Sequence, residues 1–125
     1  MAAAGPLVMV VNDDEAMRDS LGFALRLEGA DVHLHHGGAG LLADGELPVS
    51  ACLVLAYHLP EMDGFEILSR IRAMNLSIPA IMLTSAATPA MRDRAQEAGV
   101  WRVLEKPVMD GALVEAVAGL LREIT

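Results

Sequence analysis

Polar side chains that could take part in chemistry follow the apolar runs of this sequence. Asn12-Asp13-Asp14-Glu15 follows the first run, and Ala56-Tyr57-His58, Thr84-Ser85 and Glu105-Lys106-Pro107 follow three later ones. If these runs are parallel strands of one sheet, their carboxyl ends form a crevice, which is the usual place for a functional site in such sheets. We therefore expect these four segments to lie close together.

Two histidines and a glycine-rich segment are further candidates. His33 and His35 are two residues apart on a predicted strand, so both imidazoles point to one face and could bind a transition metal. We interpret them instead as polar residues of an edge strand, which discourage pairing with another chain. Gly37-Gly38-Ala39-Gly40 lacks the lysine and spacing of a nucleotide-binding loop and is predicted to be a turn. Ser20 and Ser85 have no histidine in a nucleophile motif, so hydrolase chemistry is not supported.

The elements that must position these residues are strand-length apolar runs alternating with helical patterns. The predicted strands are Leu7 to Val11, Asp31 to His35, Ala51 to Leu55, Pro79 to Thr84 and Trp101 to Glu105. A first helix is predicted over Glu15 to Glu28, closed by Gly29. A short helix is expected between the second and third strands. Five strands alternating with five helices predict an α/β fold with a parallel sheet covered on both faces.

The later helices have clear start and repeat signals. Phe65, Leu68 and Ile71 recur at three-residue spacing in the third helix, and Thr88-Pro89 opens a fourth helix that ends at Gly99. Asp110 is predicted to cap the last helix. The buried stripe of that helix is predicted to consist of Leu113, Val117, Leu120, Leu121 and Ile124.

Length and composition predict one globular domain. The chain has 125 residues, of which 54% are hydrophobic, and a formal net charge of -8 that disfavours contact with nucleic acid or anionic lipid. We expect residues 1–6 to be a disordered lead and 7–125 to form the domain. Cys52 lies in an apolar run and is expected to be buried. With neither a signal peptide nor a membrane span apparent, the sequence predicts a cytoplasmic protein.

From about Leu7 to its end, the sequence resembles response-regulator receiver domains of bacterial two-component and phosphorelay signalling. The resemblance rests on the order and spacing of four motifs, which are Asn12-Asp13-Asp14-Glu15, Leu59-Pro60-Glu61-Met62-Asp63-Gly64, Thr84 and Glu105-Lys106-Pro107. It implies a flavodoxin-like (βα)5 three-layer sandwich with strand order 2-1-3-4-5.

The resemblance also implies roles for particular residues. Lys106 is the lysine and Thr84 the hydroxyl that contact a phosphoryl group, and the peptide bond from Lys106 to Pro107 is cis. Asp13 is a ligand of Mg²⁺, helped by the backbone carbonyl of His58. In the family, these groups serve transfer of a phosphoryl group to an aspartate, a reaction that needs cations to neutralise the charge on three oxygens.

Three positions depart from the family pattern. The acceptor aspartate should lie four residues before Pro60, where this chain has Ala56, whose methyl group cannot be a nucleophile. Asn12 stands where the first acid of an adjacent pair is usual, and Val103 where an aromatic residue is usual. An introduced substitution would account for Ala56 alone, whereas loss of the phosphorylation apparatus accounts for all three. We expect Thr84 and Lys106 to persist for packing and hydrogen bonding.

The sequence therefore predicts a degenerate, non-enzymatic receiver that acts through protein contacts, with a histidine kinase or an output domain as possible partner and no cofactor. Mg²⁺ binding at Asp13 is expected to be weak or absent. A homodimer is possible through the face of the fourth helix, fifth strand and fifth helix, with Met91, Arg94, Arg102 and Glu115. Two alternatives remain. One is a phosphorylatable receiver with its acceptor at Asp13 or Asp14, and the other is a small-anion sensor that uses the vacated pocket around Ala56, Thr84 and Lys106.

Overall fold

The computed structural model describes residues 5–123, except for the side chain of Asp110. The strands are β1 (Leu7–Val11), β2 (Asp31–His35), β3 (Cys52–Ala56), β4 (Ala80–Thr84) and β5 (Arg102–Glu105). The helices are α1 (Glu15–Leu27), α2 (Gly38–Leu42), α3 (Gly64–Ala73), α4 (Pro89–Glu97) and α5 (Asp110–Glu123), and a 3-10 turn covers Leu47–Val49.

All five strands are parallel and lie in the order β2-β1-β3-β4-β5. The predicted flavodoxin-like fold and strand order are thereby confirmed. β3 begins and ends one residue later than predicted, because its pairing with β4 extends to Ala56, opposite Leu83. β4 and β5 each begin one residue later than predicted, and at β4 the excluded residue is Pro79, which has no N–H to donate.

The three central strands of the sheet are buried on both faces, as in a parallel sheet covered by helices. Every residue of β1, β3 and β4 is buried, and alternate residues of these strands belong to two separate cores. One core contains Met9 and Leu55 and packs against α2, α3 and α4. The other contains Val10 and Cys52 and packs against α1 and α5. Burial raises the pKa of the Cys52 thiol to about 12, in agreement with its predicted place in the core.

Helix ends follow the capping signals of the sequence. The side chain of Asp63 accepts a hydrogen bond from the N–H of Glu66, and that of Thr88 accepts one from the N–H of Met91. Gly29 and Gly99 follow α1 and α4 with φ of 95° and 76°, in the left-handed region that glycine adopts without strain. α1 and α4 both end slightly before their predicted limits, because Glu28 and Ala98 are the C-cap residues that follow them.

The glycine-rich segment is helical, so the prediction of a turn over residues 37 to 40 was wrong for most of it. Gly37 is the N-cap of α2, and the helix begins at Gly38. A Cβ atom on Gly38 would lie 2.7 Å from Sδ of Met62 and 2.8 Å from a side-chain carbon of Ile67. Gly38 is therefore a glycine because α2 lies there against α3 and the loop before it, where a side chain does not fit.

A half-buried arginine at the end of α3 bonds to the segment that connects this helix to β4. The Nη1 atom of Arg72 donates hydrogen bonds to the backbone carbonyls of Leu76 and Ile78, at 3.2 and 2.9 Å. Burial lowers the pKa of this guanidinium group. The two bonds hold the connection between α3 and β4 in place.

The last helix agrees with the predicted stripe as far as it is described. Leu113, Val117 and Leu120 are buried and Leu121 is partly buried, whereas Ile124 lies outside the described residues. Residues 1–4 also lie outside them, so the predicted disordered lead stays a prediction. Asp110 is the first residue of α5, and the prediction that its side chain caps the helix is likewise not tested. Within residues 5–123, no helix is long and apolar enough to cross a bilayer.

Candidate functional site

Strand register brings the predicted crevice residues to one edge of the sheet. Val11 pairs with Leu55, so Asn12 and Ala56 follow at the same level on neighbouring strands. Ala56 pairs with Leu83, so Thr84 is the next residue on the adjacent strand. Asn12, Ala56 and Thr84 are all buried at this edge.

Ala56 is completely buried at the last position of β3. Backbone hydrogen bonds fix the chain where it leaves this strand. Tyr57 donates its N–H to the carbonyl of Leu83, and its carbonyl accepts from the N–H of Gly64. A Cβ atom on Gly64 would lie 2.8 Å from the carbonyl oxygen of Ala56 and 2.5 Å from Sδ of Met82. The glycine thus lets α3 begin directly against the end of β3.

Asn12 is fully buried, and its amide serves the local backbone. Its Oδ1 accepts a hydrogen bond from the N–H of Asp14 at 3.0 Å, and its Nδ2 donates to Sδ of Met17 at 3.1 Å. The first bond is the short-range turn that asparagine side chains commonly make. Asn12 therefore has a structural role at the entry to α1 that needs no charge.

Asp13 and Asp14 have different environments although they are adjacent. Asp14 is the N-cap of α1, and its Oδ1 accepts a hydrogen bond from the N–H of Met17 at 3.0 Å. Asp14 therefore stabilises the N-terminus of α1. Asp13 is exposed at the edge of the crevice and is the carboxylate that remains free of the cap.

Arg18 contributes to this region and was missed from the sequence. Its Nη1 atom donates to the backbone carbonyl of Asn12 at 2.9 Å, from the second turn of α1. An arginine six residues after Asn12 has no distinctive sequence signal, because such a contact depends on how the helix packs. The contact places a permanent positive charge next to Asn12.

Thr84 and Lys106 are joined through the backbone. Thr84 is almost fully buried, its Oγ1 accepts a hydrogen bond from the N–H of Ala86, and its carbonyl accepts from the N–H of Lys106 at 2.7 Å. The peptide bond between Lys106 and Pro107 is cis, as the family resemblance implied. Thr84 ends the strand next to that of Ala56, and Lys106 follows β5, one strand further along the sheet.

The residues of the crevice are a poor fit to Mg²⁺. This ion usually binds through one or two carboxylates together with a substrate phosphate. Asn12 uses its amide oxygen in the turn, Ala56 supplies no ligand, and Asp14 caps α1. Asp13 is left as a carboxylate ligand, and the resemblance implies only the backbone carbonyl of His58 in addition.

Two arginines of the predicted partner surface lie against aromatic rings. The guanidinium of Arg94 lies 4.3 Å from the ring centroid of Phe65, and that of Arg102 lies 4.7 Å from the ring of Trp101. These are cation–π distances. Arg94 and Arg102 are exposed, and Met91 is partly buried; Glu115 is also exposed.

A second polar cluster lies beside β2, which is an edge strand as predicted. This imidazole–carboxylate cluster consists of His33 and His35 on β2 and of Asp44 and Glu46 after α2. The hydrogen bond to Asp44 raises the pKa of His33 against the opposing effect of burial. Burial raises the pKa of Asp44, but hydrogen bonds from the N–H of Glu46 and from both imidazoles outweigh it and lower that pKa to about 2.

Comparisons with known proteins agree on one family. The sequence profile of the response regulator receiver domain matches residues 8–118. The transcriptional regulatory protein FixJ of Rhizobium meliloti is 32% identical over 110 residues, which are 88% of this chain and 54% of that protein. The C4-dicarboxylate transport transcriptional regulatory protein DctR of Rhodobacter capsulatus is 34% identical over 110 residues, which are 86% of this chain and 56% of that protein. The chain thus spans about half the length of these curated relatives.

A solved structure supports the same assignment. The CheY-like receiver domain protein of Methanospirillum hungatei JF-1 superimposes with a TM-score of 0.86, at 27% identity and 95% coverage of each chain. Receiver domains interact with kinases and output domains, and they generally bind Mg²⁺ at an acidic site. With the profile matched over most of its length and relatives that share its fold, this chain belongs to the response regulator receiver domain family of two-component signalling.

Proposed function

We propose that this chain is a degenerate receiver that signals through protein contacts without phosphorylation at the standard acceptor position. Ala56 is the observation that carries the proposal. It is fully buried at the end of β3, at the position where the resemblance expects the acceptor aspartate, and its methyl group has no nucleophilic atom. The groups that would assist transfer, Thr84 and Lys106, flank a site with nothing to phosphorylate.

The environment of Asn12 supports the same proposal. A phosphorylation site needs carboxylates to hold Mg²⁺ against the transferred group. The amide of Asn12 instead bonds to the N–H of Asp14 and to Sδ of Met17, so this position offers no carboxylate to a metal ion. We infer that Mg²⁺ binding at Asp13 is weak and that Thr84 and Lys106 remain for their backbone and packing contacts.

Partner proteins would then set the state of the module. A kinase or an output domain are candidates, and the surface around Arg94 and Arg102 is the one we propose for them or for a second copy. The net charge of -8 disfavours direct contact of this segment with nucleic acid. Such a module binds and does not catalyse.

Treatment with acetyl phosphate and Mg²⁺, followed by intact-mass measurement, tests the proposal. We expect no stoichiometric gain of a phosphoryl group by the unmodified protein. Ala56→Asp is the matched variant, since it restores a carboxylate nucleophile beside the retained Thr84 and Lys106. A phosphoryl gain by that variant alone would support the position assigned to Ala56.

Two other outcomes would argue for a different function. A full phosphoryl gain by the unmodified protein would overturn the proposal, and peptide mapping would then show whether Asp13 or Asp14 is the acceptor. A small anion that co-purifies in a native mass spectrum and is lost in Lys106→Met would instead favour a small-anion sensor.

A further inference from the structure

The imidazole–carboxylate cluster beside β2 brings four potential metal ligands together. Oδ2 of Asp44 lies 2.8 Å from Nδ1 of His33 and 2.9 Å from Nε2 of His35. Oε2 of Glu46 lies 2.9 Å from Nε2 of His33. Two imidazoles from one strand face and two carboxylates from one loop therefore converge.

The contacts gather negative charge around one imidazole. His33 faces a carboxylate oxygen with each of its ring nitrogens. The protonated ring donates an N–H to both oxygens, whereas the neutral ring has one N–H and directs a lone pair at one of them. Within residues 5–123, the salt bridges of Asp44 and Glu46 are made with these imidazoles and not with lysine or arginine. A bound metal ion would satisfy nitrogen and oxygen lone pairs together.

Local geometry holds the ligands in place. The Oδ1 atom of Asp44 accepts a hydrogen bond from the N–H of Glu46 at 2.9 Å, which leaves Oδ2 directed at the imidazoles. A Cβ atom on Gly40 would lie 3.0 Å from Nδ1 of His35, so the glycine leaves room for that ring against α2. Hydrogen bonds that orient a ligand in this way commonly strengthen metal sites.

The spacing and exposure suit an ion arriving from solvent. Ligand atoms of His33, Asp44 and Glu46 all lie within 4.8 Å of one another. Ligands at about 2.0–2.2 Å from a tetrahedral zinc ion are about 3.3–3.6 Å apart, so the contacts of 2.8–2.9 Å must open slightly as an ion enters, while any wider separations close. The side chain of Glu46 is 59% exposed and free to make such a movement, whereas that of Asp44 is 11% exposed.

We propose that His33, Asp44 and Glu46, with His35 as a further ligand beside Asp44, form a binding site for a divalent transition-metal ion of the zinc type. Imidazole nitrogen with carboxylate oxygen suits Zn²⁺, Co²⁺ and related ions, whereas Mg²⁺ prefers oxygen ligands alone. The site lies outside the crevice and is independent of phosphorylation. Metal binding would fasten the connection after α2 to the edge strand β2.

Titration of tag-free, chelator-treated protein with Zn²⁺ in a calorimeter tests the site. We expect one saturable site per chain, with affinity reduced roughly tenfold or more in His33→Ala and in Asp44→Asn, because each removes a direct ligand. His36→Ala is the matched control. It removes an exposed imidazole next to His35 and should leave the affinity unchanged.

Nuclear magnetic resonance of the histidine ring nitrogens gives a readout on the unmodified protein, independent of whether the variants fold. Zn²⁺ should shift the ring nitrogens of His33 and His35 and leave those of His36 and His58 in place. The proposal is overturned if Zn²⁺ shows no saturable binding. It is equally overturned if binding survives in both ligand variants, or if the shifts appear at His36 or His58 instead.

Discussion

Ala56→Asp would place a carboxylate at a fully buried position at the end of β3, and the expected cost can be worked out from its surroundings. At an effective dielectric near 20, charges ~4 Å apart interact by about 4 kcal/mol before screening. Lys106 would attract the new carboxylate and Asp13 would repel it, so these two effects largely offset one another. The main cost is then the incomplete solvation of the buried carboxylate, which lowers the free energy of unfolding by roughly 1–3 kcal/mol.

This cost should appear as a lower melting temperature in the absence of metal. For a domain of this size, about 1–3 kcal/mol corresponds to a fall of roughly 3–12 °C. Mg²⁺ should recover part of the loss in the variant, since an ion at about 100 times its Kd stabilises the folded state by about 2.7 kcal/mol. The unmodified protein has Asp13 as its remaining free carboxylate there, and its melting temperature should barely change.

Thermal melts of both proteins with and without millimolar Mg²⁺ measure these effects. Ala56→Asn is the matched control, because it has nearly the same size and buries a polar group but adds no charge. Ala56→Asn should melt at a lower temperature than the unmodified protein, and Mg²⁺ should not raise its melting temperature. An equal rise in melting temperature for the unmodified protein on adding Mg²⁺ would refute the charge argument and show that Asp13 suffices to bind the ion.

Two further predictions concern the surface and the fold. Arg102→Glu should weaken self-association in sedimentation experiments, because it reverses the charge on the proposed partner surface; a monomer at high concentration, or a dimer that ignores the change, would contradict this. Arg72→Met should lower the free energy of unfolding by about 2–4 kcal/mol in urea, since two carbonyls lose a charged donor. Arg70→Met is its control and should cost only about 0.3–0.5 kcal/mol, because Arg70 forms an exposed pair with Glu66. Equal losses in the two variants would refute this account of Arg72.

The central strands β1, β3 and β4 were predictable because burial on both faces leaves continuous apolar runs. β1 and β2 have the predicted limits, β4 and β5 begin one residue later, and β3 is shifted by one residue at both ends. Ala56 was identified as the acceptor position but left outside the predicted strand, because an alanine after Leu55 gives no periodic signal and only pairing with Leu83 assigns it to β3. The glycine-rich start of α2 was misread for a related reason. Glycine usually indicates a turn, but at Gly38 it reflects close packing against Met62, which local sequence does not reveal.

The crevice was predictable and the second cluster was not, and the difference lies in how each is assembled. Crevice residues follow strand ends, so parallel topology alone brings Asn12 and Thr84 to one edge. His33 and His35 could be placed on one strand face in the same way. Their carboxylate partners, Asp44 and Glu46, lie in an irregular connection whose path depends on the packing of α2. An acidic residue in a loop has no sequence signal for a partner about ten positions away.

The departures at the crevice are physically dependent on one another. If Ala56 occupies the acceptor position, as we propose, no phosphoryl group arrives there, and a cluster of acids that holds Mg²⁺ then only adds repulsion. An amide at residue 12 removes that repulsion and still closes the turn into α1 through the N–H of Asp14. The half-buried Val103 beside Met82 packs against the core and needs no phosphoryl-dependent movement. Loss of the acceptor thus makes the acid at residue 12 costly and the aromatic residue at 103 dispensable, whereas a substitution introduced at residue 56 alone would leave both in place.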